Sequence, residues 1–488
     1  MSISFNSIPL DLRTPGQYLE FDASRARSGA GVQPQRVLVV GQKLAAGLAN
    51  AGQPTRIATA DQAVQQFGRG SMLALMFAAF LTANSTAEAW GLALADNAAG
   101  VAATKTVTVS GPATAAGIVN LYVAGVRVQA AVAAADTATV VATALADAIN
   151  DNPDLPVTAA SAAAVVTLTC RHKGAAGEAL DVRVNYRSGE TLPAGLAVAV
   201  AAGATGAGNP DMAAVFTAIG DDWFNTFVNP YTDTANLDLI DAELAERFGP
   251  LKMIDGFSYS FSAGTFGALT ALGSTRNGPH VSIGGLKGSP TWSPVIAAAY
   301  AGVVSYHGAI DPARPFQTLP LPGVLAPTVN DRFTREERDL LLREGISTFT
   351  VDAGGQVLIE RPITTYQTNA FGLPDTAYLD VNTLLTLSYL RWSMRARIAT
   401  KYGRHKLAND GTLYGSGQAI VTPKVIKAEL ISLFREWETA GLVENLPQFI
   451  ADLIVQRDPN DPNRLNALIP PDLVNQFRVF AGQVQFRV

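Results

Sequence analysis

Apolar and polar positions along this chain follow two rhythms that take turns. An unbroken apolar run at 36–40, closed by Gly41, has the character of a strand buried on both faces. Asp61 opens a short helical pattern that ends near Phe67. Residues 72–83 are almost wholly apolar and predict a buried helix, with a strand following at 89–95. The same alternation returns after residue 210. Strands are predicted at 223–228, 253–259 and 281–283, separated by helical patterns at 237–248, 265–272 and 295–304. Leu237, Ile240, Leu244 and Phe248 make one helix face, ended by Gly249-Pro250. Strands that alternate with helices predict a parallel sheet covered by helices.

Residues 97–208 have a different texture, rich in Ala, Thr, Val and Gly. Short strand patterns occur at 106–109, 118–123, 127–130, 165–169 and 181–186, with one helix at 137–150 and a flexible return at 195–209. Short strands punctuated by turns predict a small β-rich module inserted into the body. A last body spans 331–470. It holds a helix at 333–344, a hairpin of 348–351 with 357–360 around Asp352-Ala353-Gly354-Gly355, and a long helix at 380–401. An amphipathic helix begins at Thr422-Pro423, with Ile426, Leu430, Leu433, Phe434 and Trp437 on its apolar face. The tract at 458–463, DPNDPN, reads as a turn.

Both ends carry strand-like segments punctuated by proline. Ile3 and Phe5 alternate with serines, and Tyr18 and Phe21 sit in a short extended piece. Val484, Phe486 and Val488 alternate with Gln483, Gln485 and Arg487, while Phe477 and Val479 hold the opposite phase. The phase shifts near Ala481-Gly482, where a bulge would re-aim the side chains. Such a terminal strand either completes its home sheet or adds to a neighbour's. The expected fold class is α/β multidomain: a body with a parallel-sheet middle domain, an inserted β-rich module and extended terminal arms. The expected divisions are an arm at 1–28, the first part of the body at 29–96, the insertion at 97–208, a middle domain at 209–330, a C-terminal core domain at 331–470 and an arm strand at 471–488.

Composition narrows the function. At 488 residues the chain exceeds one simple core. It is 48% hydrophobic and 16% charged with net charge -5, so no basic balance argues for nucleic acid. The single cysteine, Cys170, excludes an internal disulfide framework and fits a reducing compartment. The first residues have no basic segment followed by an apolar run, so no secretory signal is expected. The run at 72–83 is shorter than the roughly 20 residues a bilayer span requires. A soluble protein made in a cytoplasm is expected.

The chemistry-bearing residues are sparse. His172, His280, His307 and His405 lack paired-ligand spacing, so no metal site is expected. Gly41-Gln42-Lys43 follows a strand but fits neither phosphate-loop pattern, and no GxSxG elbow occurs. Asp255, His280, Ser289 and His307 could form a Ser/His/Asp set only if geometry brought them together. No enzyme activity and no cofactor are expected. One charge feature stands out: Arg391, Arg395, Arg397, Lys401, Arg404 and Lys406 make the end and exit of the long helix basic. This is either a solvated face with cations favoured by the helix dipole, or a contact for an acidic partner surface.

Three stretches carry a family resemblance. They are SFNSIPLDLRTPGQYLEFD near the start, with Ile8-Pro9, Arg13 and Pro15-Gly16; LLREGISTFTVDAGGQVLIERPITTYQTNAFG at 341–372; and LSYLRWSMRARIATKYGRHKLANDG at 387–411. Together they resemble the contractile phage tail sheath proteins of the Mu-like myophage type. The resemblance implies a subtilisin-like fold for residues 210–370, with no triad that can be carried onto this sequence. It implies subunits stacked as hexameric rings around a tail tube. Terminal strands holding Ile3, Phe5, Tyr18, Phe21, Phe477, Val479, Val484, Phe486 and Val488 would be exchanged between neighbours. Contraction would drive the tube through the host envelope. The implied partners are other copies of the chain, the tube protein, and baseplate and tail terminator proteins, with no direct nucleic acid contact and no membrane insertion. The basic residues Arg391 to Lys406, or the helix from Lys424 to Thr439, are the implied tube contact. The implied location is the virion, after assembly in the host cytoplasm. A sheath of a phage-derived bacteriocin or secretion machine fits the same resemblance, and a hydrolase is the third reading.

Overall fold

The computed structural model describes residues 14, 16–17, 33–415 and 417–487. They fall into two compact units, one holding 34–388 with the tail from 475 and the other holding 389–474 with the described residues up to 33.

The larger unit begins with β1 (Arg36–Gln42), β2 (Pro54–Ile57), α1 (Ala60–Phe67), α2 (Met72–Ala83) and β3 (Glu88–Leu94). Thr59, not Asp61, caps α1: its hydroxyl accepts from the Gln62 backbone N–H. Ser71 caps α2 in the same way through Ala74 N–H. An insertion follows, with β4 (Ala102–Ser110), β5 (Gly117–Val123), β6 (Val126–Val132), α3 (Ala138–Asn150), β7 (Val157–Ala162), β8 (Val165–Lys173), β9 (Val182–Val184) and β10 (Ala197–Ala202). The chain then returns through α4 (Ala213–Ile219), β11 (Thr226–Val228), α5 (Thr234–Phe248), β12 (Phe257–Ala263), α6 (Phe266–Gly273), β13 (Val281–Leu286) and α7 (Ser293–Ile310). β14 (Pro320–Leu325), α8 (Arg335–Arg343), β15 (Ile346–Val351) and β16 (Gln356–Arg361) complete the sheet.

That sheet has nine strands in the order β14-β16-β15-β13-β12-β11-β1-β3-β2. The run from β15 to β3 is parallel throughout, and antiparallel strands close both edges. Val37 to Val40 in β1 are fully buried, as a central parallel strand covered on both faces demands. α7 packs against α2 and is buried almost all round, which explains its lack of a polar face. At Gly302 a Cβ would sit 2.7 Å from Ala83 Cβ, so glycine permits the close approach of these two helices.

Several sequence expectations change here. The hairpin at 346–361 is part of the nine-stranded sheet, so 330/331 is not a break between bodies; the division lies at 388/389. Hairpin periodicity shows that two strands pair, and is silent about which sheet they join. The stretch 195–209 is not a flexible return, because β10 pairs with β4 from Ala197↔Ser110 to Ala202↔Lys105. Alanine has weak strand preference, and cross-strand pairing overrides it. The strand expected at 253–259 starts at Phe257, after a turn in which Met253 holds a positive φ of 51°.

The insertion holds two sheets, β10-β4-β8-β7 and β6-β5-β9, with α3 packed on strands of both. A buried polar joint ties it to the body. His172 Nε2 on β8 accepts from Met72 N–H at the start of α2, at 3.0 Å. The Nδ1 atom therefore carries the proton and donates to Asp96 Oδ1 at 3.0 Å. Asp96 also accepts from Gln42 Nε2 and Lys173 N–H. Burial pushes the Asp96 carboxyl up, but the His172 and Lys173 hydrogen bonds outweigh it and hold it below its usual value.

The smaller unit contains most of α9 (Val381–Tyr402), then β17 (Lys406–Leu407), β18 (Ile420–Val421), α10 (Pro423–Thr439), β19 (Val443–Glu444), α11 (Leu446–Asp452), β20 (Ile454–Arg457), β21 (Leu465–Leu468) and β22 (Asp472–Leu473). Thr422 caps α10, and Ile426, Leu430, Leu433, Phe434 and Trp437 are buried. The 458–463 turn joins β20 to β21, an antiparallel hairpin not expected from the sequence.

Candidate functional site

The tail from 474 to 487 has no regular secondary structure. Its last anchor on the smaller unit is β22, which pairs with β19 through Val443↔Leu473 and Glu444↔Asp472. Val474 N–H adds a bond to Leu442 O at 3.2 Å. Beyond it, Phe477, Val479, Phe480, Val484 and Phe486 are 73–90% exposed. Among the described residues the strand periodicity of this stretch is therefore not realised, and it completes no home sheet. Ile3, Phe5, Tyr18, Phe21 and Val488 lie outside the described residues.

The basic stripe of α9 is partly neutralised by α10. Arg397 donates to Glu429 Oε1 at 3.0 Å and to Glu436 Oε2 at 2.5 Å. Lys401 pairs with Glu429, and Tyr402 donates to the same carboxylate at 2.8 Å. Arg391 and Arg395 also have partners. Arg404 and Lys406 are exposed, with Lys406 Nζ donating to Gln418 Oε1. Sequence reasoning missed the acidic counterpart. Its signal was the spacing of Glu429 and Glu436, which places them on one face of α10 beside its apolar residues.

The residues of a paper triad have structural employment. Ser289 Oγ donates to Leu325 O at 2.7 Å. His280 is buried between the rings of Phe248 and Phe257. His307 lies in the last turn of α7. Among the described residues no group of three or more His, Cys, Asp or Glu side chains could hold a metal. No helix among them is long and apolar enough to cross a membrane.

Set beside known proteins, three stretches match models of one family: the phage tail sheath beta-sandwich domain at 98–197, the central domain at 205–365 and the C-terminal domain at 374–487. The chain belongs to the phage tail sheath proteins. It is 47% identical over 486 residues, covering 100% of both chains, to the Mu-like prophage FluMu tail sheath protein of Haemophilus influenzae. Among solved structures, it is similar to the sheath tail protein of Desulfitobacterium hafniense, at 15% identity over 94% of this chain and 100% of that one, with a TM-score of 0.48. It is also similar to the sheath tail protein Lin1278 of Listeria innocua, at 12% identity over 93% and 94% of the two chains, with a TM-score of 0.49. The helical sheath of the anti-feeding prophage in its contracted state aligns at 11% identity over 97% and 99%, with a TM-score of 0.47.

Proposed function

We propose that this sheath protein polymerises around a tail tube as stacked hexameric rings, each copy tethered to its neighbours by its terminal arms, and that the polymer contracts to drive the tube through the host envelope. The observation that carries the reading is the bare apolar tail. Five large apolar side chains between 477 and 486 are at least 73% exposed. Contiguous exposed apolar surface marks an interaction site. Among the described residues the main-chain groups at 475–487 also lack a ladder, and strand addition to another copy's sheet would satisfy both needs. Head-to-tail contacts of this kind propagate into helical polymers.

In this reading the larger unit is a rigid block that moves while the arms keep copies joined. Its parallel sheet covered by helices would be the subtilisin-like part. The insertion would face outward. Arg404 and Lys406, exposed just beyond the end of α9, would face the tube. Assembly would take place in the host cytoplasm, with baseplate and terminator proteins bounding the polymer. The same subunit would serve a phage tail or a contractile bacteriocin or secretion machine. The role is structural, with no reaction assigned. The test is deletion of residues 474–488. The truncated protein should stay monomeric in sedimentation velocity, while the full chain forms rings or tubes in electron micrographs. Normal tubes from the truncated protein would refute the role of the tail.

A further inference from the structure

We infer that Arg478 is a releasable latch: its grip on Asp380 at the start of α9 sets which face of the C-terminal tail is turned toward the body, and it can let go without disturbing the body.

The acceptor is built to stay still. Arg361 holds the Asp380 carboxylate with two prongs, Nε to Oδ1 at 3.1 Å and Nη2 to Oδ2 at 3.2 Å. The Asp380 backbone is bridged to Ile363, and Thr364 N–H donates to Leu379 O at 2.8 Å. Arg478 Nη2 approaches the same carboxylate, 3.0 Å from Oδ1. Two guanidinium groups thus share one carboxylate, in a place where their side chains are 31% and 14% exposed. Arg478 Nη1 is buried with no hydrogen-bond partner among the described residues. Burial pulls the Arg478 guanidinium below its usual range; Asp380 opposes this, and Arg361 adds to it.

The asymmetry is the device. With Arg478 in place the cluster carries one uncompensated positive charge and one orphaned donor, both unfavourable when half-buried. With Arg478 released, Arg361 and Asp380 remain as a matched, two-pronged pair, and the freed guanidinium regains water. While closed, the latch also orients the tail. Gln476 and Arg478 are half-buried, whereas Phe477 and Val479 are 73% and 81% exposed. The polar residues of this alternation face inward and the apolar ones outward, the reverse of an ordinary strand on its own body. The apolar side is thereby presented for another surface. Only this last use rests on the assembly reading.

The latch is tested on full-length monomer, at concentrations below polymer formation, with a nitroxide at Phe480→Cys. Cys170 is 5% exposed and is replaced by alanine to keep the label unique. Arg478→Gln should raise the mobile fraction of the spectrum about fivefold, the ratio that ~1 kcal/mol sets. Arg478→Lys should retain most of the immobile fraction. Arg361→Gln should hold the tail as firmly as before or more so, because Asp380 then serves Arg478 alone. An unchanged spectrum in Arg478→Gln overturns the latch. So does a tail that loosens in Arg361→Gln at an unchanged melting temperature. Because the reading is taken on monomer, it stands or falls apart from whether the tail joins subunits.

Discussion

Arg397 on α9 and Glu429 on α10 lie 32 residues apart in the chain and meet at 3.0 Å, and the Glu429 side chain is only 6% exposed. The pair turns half of a basic stripe inward. Burial pushes the Glu429 carboxyl up, but bonds from Lys401, Tyr402 and Arg397 outweigh it and hold it below its usual value. A carboxylate lowered on folding stabilises above its unfolded value, and that contribution is lost as pH falls through the folded one. The smaller unit should therefore weaken below about pH 4.5, the ordinary value from which Glu429 is lowered. Glu429→Ala should cost about 2–4 kcal/mol at pH 7, less than a fully buried pair because Lys401 is half exposed. Denaturant unfolding followed by tryptophan fluorescence measures it, and the loss should shrink as pH falls below about 4.5.

Asp241 shows the opposite sign. Burial raises its carboxyl to about 6, with Asp238 adding to the rise and Arg276 opposing it. Its Oδ1 has no hydrogen-bond partner among the described residues. A carboxyl raised on folding is favoured in its protonated form, so stability falls as pH climbs from about 4 to 6, and the penalty is complete above that. Asp241→Asn should stabilise the protein by about 1–2 kcal/mol at pH 7.5 and by little at pH 4. Melting curves at the two pH values decide it. Equal effects at both would refute the assignment.

Two glycines of α6 should respond in opposite directions. A Cβ on Gly273 would stand 1.9 Å from the Glu344 carbonyl oxygen, a backbone atom that cannot swing aside. Gly273→Ala should destabilise by about 2 kcal/mol or more. Gly267 has nothing within 4 Å of its Cβ position. Gly267→Ala should stabilise by about 0.5–1 kcal/mol through helix preference alone. Thermal unfolding of both variants in parallel checks the pair.

His172 is the joint between insertion and body. His172→Ala leaves the Met72 N–H and the Asp96 carboxylate short of a partner, at a cost of about 2–3 kcal/mol. Hydrogen exchange should rise first in β8 and at the start of α2. Uniform destabilisation without that local signature would count against a joint there.

The family was legible in the sequence, because its motifs at 341–372 and 387–411 are contiguous. Local elements were legible wherever a period was long or a cap was clear. The helix at 72–83 is where its apolar run places it, and the helix begun at Thr422-Pro423 buries the face its spacing predicts. β10 was not legible, because an Ala-Val alternation reads as strand only when β4 lies beside it. The Glu429 network was not legible either, because a basic stripe does not announce the acidic helix opposite.

By itself, the sequence determined the kind of protein, the βα rhythm of the body, and the alternation of apolar and polar residues in its last stretch. Those properties depend on neighbours within a few turns of chain, or on motifs that stay contiguous. Tertiary structure alone decided that the 346–361 hairpin joins the large sheet, that Glu429 takes up Arg397 and Lys401, and that Arg478 shares Asp380 with Arg361. Each of these is a long-range pairing, and register, burial and charge balance exist only once distant segments are side by side.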